Sequence, residues 1–172
     1  MRTRSEQVID YNVFLNGTDY LGVSTADLPE IAYLTNTLKG GGIAGELEGI
    51  SPGLTQAMTL TLNWRTAEKN AIKLAAPIVH TLDLRGSFQE FDVAANEYVE
   101  RGIKVTVRGR PLTLALGGLE TAATMDASNT FSLTYLKVDI DGGTVLEIDK
   151  LNYIFKVNGV DYLARTRANL GY

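Results

Sequence analysis

The sequence predicts a mainly β fold with one or two short helices. Apolar and polar residues alternate with a period of two along most of the 172-residue chain, which is the pattern of strands with one buried face. Turn-forming dipeptides such as Asn16-Gly17 and Asp141-Gly142 separate these stretches. The chain is long enough to bury one core, so we expect a single domain over residues 1–172.

Composition excludes several classes of protein. The chain is 45% apolar and 21% charged, as in ordinary globular proteins. Its net charge of −4 argues against a general polyanion binder, because nucleic-acid affinity comes mainly from neutralised phosphates. Without cysteine it has no disulfide and no thiolate metal site. The N-terminus lacks the apolar stretch of a signal peptide, so we expect a soluble protein made in the cytoplasm.

The N-terminal third predicts one hairpin followed by a weaker pattern. Tyr11, Val13 and Leu15 share a strand face, and a two-residue turn at Asn16-Gly17 would pair Val13 with Tyr20. From residue 25 to residue 53 alternation weakens, and six glycines fall between residues 40 and 53. This segment predicts an irregular excursion or a long hairpin, and such stretches are usually functional or disordered.

The middle of the chain predicts a strand, one helix and two further strands. Leu60, Leu62 and Trp64 alternate with polar residues. A helix over 67–75 would be capped by Thr66, with Ala71, Ile72 and Ala75 facing the core. Strands are expected at 78–91 and 97–108, with a loop around 109–127. The basic stretch Arg108-Gly109-Arg110 predicts a polar turn or a salt-bridging site, and contact with a neighbouring acidic surface is the alternative.

Two phase changes mark the last third. Apolar residues alternate in one phase up to Tyr135 and in the opposite phase from Leu136, which predicts a bulge or a strand whose buried face changes. Asp141-Gly142-Gly143 predicts a hairpin turn. Residues 145–157 predict one strand with a second phase change near Asp149.

No motif for catalysis withstands inspection, so we expect no catalytic, cofactor-binding or metal residues and no cofactor. Gly40–Gly45 fits G-x-G-x-x-G, but Pro52 and several glycines follow where a phosphate-binding helix would have to begin. The acidic residues around Asp141 lack the spacing of a calcium loop. His80, the single histidine, is more readily a structural residue than a catalytic base.

The ends of the chain carry a resemblance. Val145–Asp149, Asn152 and the stretch from Lys156 onward, together with Asn12–Gly17 and Arg108–Arg110, resemble the major tail tube proteins of contractile-tailed phages and R-type bacteriocins. The C-terminal signature consists of Asn158, Gly159, Asp161, Leu163, Arg167, Leu170 and Gly171.

The resemblance implies a structural protein and not an enzyme. Two packed antiparallel sheets would form a partial barrel, completed as a continuous β-barrel in a hexameric ring, and rings would stack into an inner tail tube. The implied partners are further copies of the chain, a tail sheath protein, baseplate or initiator proteins and a tube terminator. DNA in phages, or ions in bacteriocins, would pass the lumen without sequence specificity. The implied location is a virion tail or tail-like particle, with no membrane insertion by the chain itself.

Two sets of residues are candidates for assembly. Small neutral polar side chains suit a lumen that must not hold DNA phosphates, and the lumen candidates are Thr59, Thr61, Asn63, Thr130, Ser132 and Thr134. The glycine-rich excursion is expected to reach a neighbouring subunit or ring through Lys39, Gly40, Gly41, Gly42, Ile43, Gly45, Glu46 and Glu48.

Two other functions stay open from the residues alone, a soluble β-rich ligand-binding domain and a β-rich enzyme with no visible motif. The string N-G-x-D-Y-L also occurs twice, at Asn16–Leu21 and Asn158–Leu163. We interpret the first copy as a hairpin and the second as a strand-to-helix turn, with Asp161 as a cap and Tyr162 in the first helical turn.

Overall fold

The computed structural model describes residues 2–172. The elements are β1 (Thr3–Leu15), β2 (Asp19–Tyr20), β3 (Thr25–Asp27), β4 (Tyr33–Lys39), β5 (Glu46–Thr55), β6 (Met58–Trp64), α1 (Lys69–Lys73), β7 (His80–Asp92), β8 (Glu97–Ala115), β9 (Ala127–Ile140), β10 (Gly143–Asp149), β11 (Ile154–Val157), β12 (Val160–Asp161) and α2 (Ala164–Leu170). The prediction of a mainly β fold with two short helices is confirmed.

Ten of the strands form one antiparallel sheet. Its order is β12-β11-β10-β9-β8-β7-β1-β2, and β6 pairs with both β9 and β3. Strands β4 and β5 form a separate two-stranded sheet. The predicted pair of antiparallel sheets is therefore present, and no barrel closes among residues 2–172.

A bend in β9 divides the large sheet into two layers. Residues 127–133 pair with β6, whereas residues 135–140 pair with β10. The register with β8 jumps from Leu133 to Tyr135, so Thr134 is a bulged residue. Tyr135 and Leu136 are both buried, which confirms the predicted change of buried face. The first layer, called the four-stranded layer below, comprises β3, β6, residues 127–133 of β9 and the end of β8.

The core fills the space between the two layers. The four-stranded layer contributes Leu60, Leu62, Trp64 and Phe131, and α1 contributes Ala71 and Leu74. The second layer supplies Val13, Leu15, Leu82, Leu84, Val105, Val107, Leu136, Ile148 and Phe155, and the core also contains Leu21, Met58, Leu133 and Leu163. The strands that supply these side chains bury one face and leave the other for contacts outside the core.

Helix α1 differs from its prediction in extent and in buried face. It begins at Lys69, with Glu68 and not Thr66 at the N-cap position. Ala71 and Leu74 are buried, while Ile72 is 55% exposed. Residues three apart share a helical face, whereas adjacent residues do not. Leu74 therefore lies on the buried face with Ala71, and Ile72 lies on the exposed face.

Strand β8 continues to Ala115, through the first part of the segment predicted to be a loop, and residues 116–126 then connect it to β9. Arg108-Gly109-Arg110 lies inside the strand, so the predicted turn is wrong. A side chain at Gly109 would place its Cβ 2.8 Å from Leu133 Cδ2, and glycine here allows the close approach beside the Thr134 bulge. Pro111 lies at a second register shift, where a missing N–H is tolerated.

The second predicted phase change is a turn and not a strand irregularity. Strand β10 ends at Asp149, whose Oδ1 accepts the N–H groups of Leu151 and Asn152, each at 3.1 Å. Strand β11 then begins at Ile154 and returns antiparallel to β10. Asp149 therefore caps a turn, although its place in the alternating pattern is that of a polar residue within a strand.

The two Asn-Gly turns differ from their predictions in opposite ways. Leu15 pairs with Asp19, so the first turn has three residues and Phe14, not Val13, lies opposite Tyr20. Val157 pairs with Val160, so Asn158-Gly159 is the two-residue hairpin turn. Tyr162 precedes α2 and does not lie in its first turn.

Candidate assembly surfaces

The lumen candidates lie on one face of the four-stranded layer. Thr59 is opposite Ser132, and Thr61 is opposite Thr130, whose hydroxyl oxygen lies 3.3 Å from that of Thr61. Directly opposed residues share a sheet face. Thr134 differs from the others, because it lies in the bulge and donates to the carbonyl oxygen of Arg108 at 3.4 Å.

Residues from β3 and β8 extend this polar face beyond the prediction. Asn63 Nδ2 donates to Thr25 Oγ1 at 3.0 Å and to Asp27 Oδ2 at 3.1 Å. On the other side, Arg110 is opposite Ser132 and Thr113 is opposite Thr130. Sequence reasoning missed Arg110 and Thr113 because residues 109–127 were expected to form a loop.

Both lateral edges of the four-stranded layer are open among residues 2–172. Strand β3 pairs with β6 and with no further strand. At the other side, β7 begins opposite Gly109, so residues 110–115 of β8 pair with β9 alone. Leu112 and Leu116 at this edge are 57% and 54% exposed. Unpaired backbone groups on two opposite edges are a template for pairing with another chain.

The glycine-rich segment folds as a long hairpin, one of the two predicted forms. The pairing of β4 with β5 runs from Lys39 opposite Glu46 to Tyr33 opposite Thr55. Gly40–Gly45 is the connecting loop. All eight residues of the predicted inter-subunit loop are exposed. A strand follows the glycines, so no helix N-terminus is available for a dinucleotide phosphate.

The hairpin has one apolar and one polar face. Leu34, Leu38 and Leu47 share the apolar face and are 45%, 43% and 54% exposed. The polar face carries Thr35, Thr37, Glu48 and the ion pair between Lys39 and Glu46 at 3.8 Å, with Ile50 opposite Thr35 as its one exposed apolar residue near the hairpin base. A two-stranded hairpin is marginally stable alone in water, so an exposed apolar face indicates a partner.

The outer face of the second layer is charged and internally paired. Asp83, which is 6% exposed, lies 3.6 Å from Arg85 and 3.7 Å from Lys104. Arg85 also donates to the carbonyl oxygen of Gly17 at 3.0 Å and stacks on the Phe14 ring at 4.6 Å. The Asn12–Gly17 stretch is therefore held against β7 by this network.

A second polar group on the same face is Tyr135. Its hydroxyl donates to Glu147 Oε1 at 3.1 Å, and the Arg108 guanidinium stacks on its ring at 4.3 Å. Burial, together with the Glu147 carboxylate, raises the pKa of Tyr135 to about 12. The phenol therefore stays neutral at physiological pH and anchors Glu147.

The C-terminal signature surrounds α2. Asp161 Oδ2 pairs with Arg167 at 2.6 Å, and its Oδ1 accepts the N–H of Leu163 at 3.1 Å. Leu163 is buried, whereas Leu170 is 55% exposed. Gly171 ends the helix in a left-handed conformation with φ 84°, and Asn158-Gly159 forms the turn described above.

Asp161 gives the C-terminal segment a pH-dependent stability. Burial by itself would raise its pKa, but the Arg167 guanidinium and the backbone N–H groups lower the pKa below its usual range. A lowered carboxyl pKa contributes stability above the unfolded-state value near 3.8, and this contribution is lost as pH falls through the lower folded-state value.

We expect Asp161→Asn to lower the free energy of unfolding by about 2 kcal/mol at pH 7, the magnitude of a hydrogen bond to a charged group. The difference from wild type should shrink below about pH 4. Urea unfolding followed by circular dichroism checks this. Asp19→Asn, which removes a 3.5 Å pair between half-exposed side chains, is the control, and a pH-independent difference for Asp161→Asn would contradict the prediction.

The remaining sequence candidates have structural roles. His80 Nε2 lies 3.1 Å from the carbonyl oxygen of Ala76, and its ring packs on Phe131 at 6.1 Å. Within the described residues 2–172, no cluster of three or more acidic or histidine side chains could hold a metal ion. No helix in the same range is long and apolar enough to cross a membrane.

The sequence profile of the family described as phage tail tube protein FII matches residues 5–171. The chain belongs to this phage tail tube family. It is 32% identical to the tail tube protein of Escherichia phage P2 over 93% of this chain and 94% of that protein. It is also 25% identical to the major tail tube protein of Serratia phage KSP20, over 87% of this chain and 85% of that protein.

Solved structures share the fold. A tube terminator chain of an extracellular contractile injection system superimposes with a TM-score of 0.56, 12% identity and coverage of 78% of this chain and 96% of that one. A chain of a sheath–tube complex in the extended state gives a TM-score of 0.53, 12% identity and coverage of 77% and 90%.

Family membership confirms the resemblance and decides the class of function. The relatives are structural tail tube proteins and not enzymes, so the chain is a structural subunit of a tail tube. The enzyme and ligand-binding alternatives are thereby set aside. Tail tube proteins of this family are parts of a virion tail or a tail-like particle.

Proposed function

We propose that this chain, as a single tail-tube domain over residues 1–172, forms six-membered rings that stack into a hollow tube, with the four-stranded layer lining the lumen. One observation carries the proposal: the four-stranded layer has a face of small polar side chains and two open strand edges. A ring joins unlike surfaces of adjacent copies and closes by rotation.

Ring closure would pair the two open edges. The free edge of β3 in one subunit would meet residues 110–115 of β8 in the next, which continues the layer around the ring. Closure removes the unpaired backbone groups, and it covers the exposed side chains of Leu112 and Leu116. The barrel that is absent from the single chain would thus form only in the assembly.

The lining chemistry suits passage of a polyanion. Hydroxyl and amide groups hydrogen-bond to water and to each other, as Thr61 and Thr130 do here. They add no fixed positive charge that would retain phosphates. Arg110 and Asp27 contribute one charge of each sign per subunit, so the face carries no net charge from this pair. The same lumen would pass DNA from a phage or ions from a bacteriocin.

The hairpin would make the contacts between rings. Its exposed residues, Lys39, Gly40, Gly41, Gly42, Ile43, Gly45, Glu46 and Glu48, project from the two-layered body. The apolar face of the hairpin would be buried against an adjacent subunit. This packing would supply the stability that a two-stranded sheet lacks by itself in water.

Other partners would meet the outside and the ends of the tube. The solved neighbours of similar fold come from a sheath–tube complex and a sheath/tube terminator assembly. We propose that a sheath protein contacts the charged outer face, that baseplate or initiator proteins start the tube and that a terminator ends it. The subunit would be made in the host cytoplasm before assembly.

Electron microscopy of concentrated protein tests the assembly, and a site-specific label tests the lumen. We expect hollow tubes, and Thr59→Cys tubes treated with a maleimide-linked gold cluster should show density along the axis. Lys104→Cys, on the charged outer face, should place the same density on the outside. The wild-type chain has no cysteine, so background labelling is absent. Exterior density for Thr59→Cys would overturn the lumen assignment.

A further inference from the structure

We propose that the C-terminal segment, residues 150–172, is a clamp that fixes the direction in which the β4–β5 hairpin leaves the body of the subunit. Here "clamp" means the contacts of Lys150 and Leu163 with the hairpin base, together with the bonds of Arg167 to Tyr153 and Asp161. In this proposal, signature residues such as Leu163 and Arg167 hold the hairpin in place. The effect of the clamp on assembly rests on the proposed role of the hairpin in contacts between subunits.

The strand pairing of the hairpin is interrupted at its base, where Tyr33 packs on Phe155 with ring centroids 5.7 Å apart. Thr35 pairs with Ile50, and the next pair toward the base is Tyr33 with Thr55. Between these pairs β4 advances by two residues and β5 by five, so the regular pairing is interrupted there. Two open clefts of about 240 and 340 Å³ both border Gly53 and separate the hairpin from β10 and β11. An interrupted ladder flanked by empty space allows the hairpin to swing unless other contacts hold it.

Lys150 supplies the first contact across this base. Its Nζ donates to the carbonyl oxygen of Gln56 at 2.5 Å and lies 3.4 Å from that of Thr55. Gln56 N–H in turn donates to the carbonyl oxygen of Ala32 at 2.8 Å. One ammonium group therefore joins the turn after β10 to the point where both hairpin strands enter the body, and a charged donor makes these bonds strong.

Leu163 supplies the second contact. Its side chain is 5% exposed and covers Gly53, where an added Cβ would lie 2.7 Å from Leu163 Cγ. Gly53 also has φ 82°, a conformation that other residues adopt only with strain. Leu163 packs on Gly53 where the strand pairing is interrupted. This contact fixes the hairpin at the place where it would otherwise bend.

Arg167 holds the parts of the clamp together. Its guanidinium donates to the carbonyl oxygen of Tyr153 at 2.7 Å and pairs with Asp161 at 2.6 Å. Asp161 accepts the N–H of Leu163, so the residue that covers Gly53 is tied to α2 and to the turn that carries Lys150. The Asp161–Arg167 pair is mostly buried, with side chains 13% and 27% exposed, which protects it from solvent screening.

A fixed hairpin direction matters for polymerisation. Each subunit that adds to a growing tube must place its hairpin against a neighbour, and a mobile hairpin loses conformational freedom at that step. A clamp that orders the hairpin in the free subunit removes this cost before assembly. The C-terminal helix thereby acts on an interface that it does not itself have to touch.

Distances between two spin labels test the clamp directly. Labels at Thr37→Cys on the hairpin and Glu97→Cys on β8 report the hairpin direction, and the chain offers no other cysteine. Labelled chains diluted into unlabelled chains restrict the measurement to distances within a subunit. We expect Arg167→Gln to widen the distance distribution at least twofold, whereas Arg165→Gln, an exposed position on the same helix, leaves its width unchanged.

Leu163→Ala provides a second arm if Arg167→Gln does not fold, and Lys150→Met provides a third. Circular dichroism and the fluorescence of Trp64 identify folded variants. Unchanged widths in the folded members of this set would overturn the clamp. Tube yield in the same samples is judged separately, because a widened distribution with normal tubes supports the clamp and shows that assembly does not need a hairpin ordered in advance.

Discussion

The triple variant Leu34→Thr/Leu38→Thr/Leu47→Thr is expected to remain folded and to fail to form tubes. These side chains lie on the apolar face of the hairpin and are each about half exposed, so the core of the single chain does not need them. Threonine keeps the preference for strand conformation. The two-stranded ladder of β4 and β5 should therefore persist in the variant.

The size of the effect follows from buried apolar area. A leucine moved from water into an interface contributes about 1.5 kcal/mol or more, so three leucines contribute roughly 4 kcal/mol per subunit. Loss of this free energy raises the concentration needed for assembly by about a thousandfold. Sedimentation of tubes across a concentration series, with electron microscopy of the pellets, measures that shift.

The polar face of the same hairpin provides the matched control. Thr35→Ser/Thr37→Ser/Glu48→Gln changes three residues on the opposite face and should shift the assembly concentration by less than about threefold, since exposed polar groups contribute little. Equal loss of tubes in both triple variants would show that the hairpin acts through its backbone or its overall order. Normal assembly by the leucine variant would refute the interface.

Asn129→Ala is expected to be among the most destabilising single changes in the chain. Asn129 is fully buried; its Oδ1 accepts the indole N–H of Trp64 at 2.8 Å, and its Nδ2 donates to the carbonyl oxygen of Ala71 at 3.0 Å. The side chain links β6, β9 and α1 through two buried hydrogen bonds. Truncation leaves both partners without a bond, at a cost of about 3–5 kcal/mol in the free energy of unfolding.

Urea unfolding below the assembly concentration measures this loss by circular dichroism. Asn63→Ala is the control of the same residue type on the partly exposed face of β6, and we expect it to cost about 1 kcal/mol. The double variant Asn129→Ala/Trp64→Phe should lose less than the sum of its single changes, because removal of the indole N–H also removes one unsatisfied donor. A cost below about 1 kcal/mol for Asn129→Ala would contradict the prediction.

Local patterns allowed much of the fold to be predicted. The alternation in β6 and β9 located a strand pair with one polar face, and the phase change at Tyr135 located the bend between the layers. Asp141-Gly142 marked its hairpin turn correctly. In each case the signal lies within a few residues, because side-chain direction and turn conformation depend on the local backbone.

Signals with two possible meanings were misread. Gly109 and Pro111 are common in turns, and here they occupy irregular positions within β8. Asp149 resembled a polar residue in a strand, and it caps the turn that ends β10. Whether such a residue breaks a strand or lies within a bulge depends on the neighbouring strand, which the chain reaches only after many intervening residues.

The assembly surfaces show the same division. The small polar face was visible in the sequence as alternating Thr59, Thr61 and Asn63, while the edges of the layer and the contribution of Arg110 were not. The C-terminal signature could be recognised as letters, but the contact of its Leu163 with Gly53 at the hairpin base could not, since the two residues are far apart in the chain. The lumen and hairpin assignments stay predictions until tubes are examined.

The sequence by itself determined the strand content, the family and the polar and apolar faces of this tail tube protein, because periodicity and turn residues express short-range preferences of the backbone. The tertiary structure decided which strands are neighbours, which edges remain open and what holds the hairpin. Those features arise from contacts between segments far apart in the chain, and the choice among such pairings depends on the packing of the whole core.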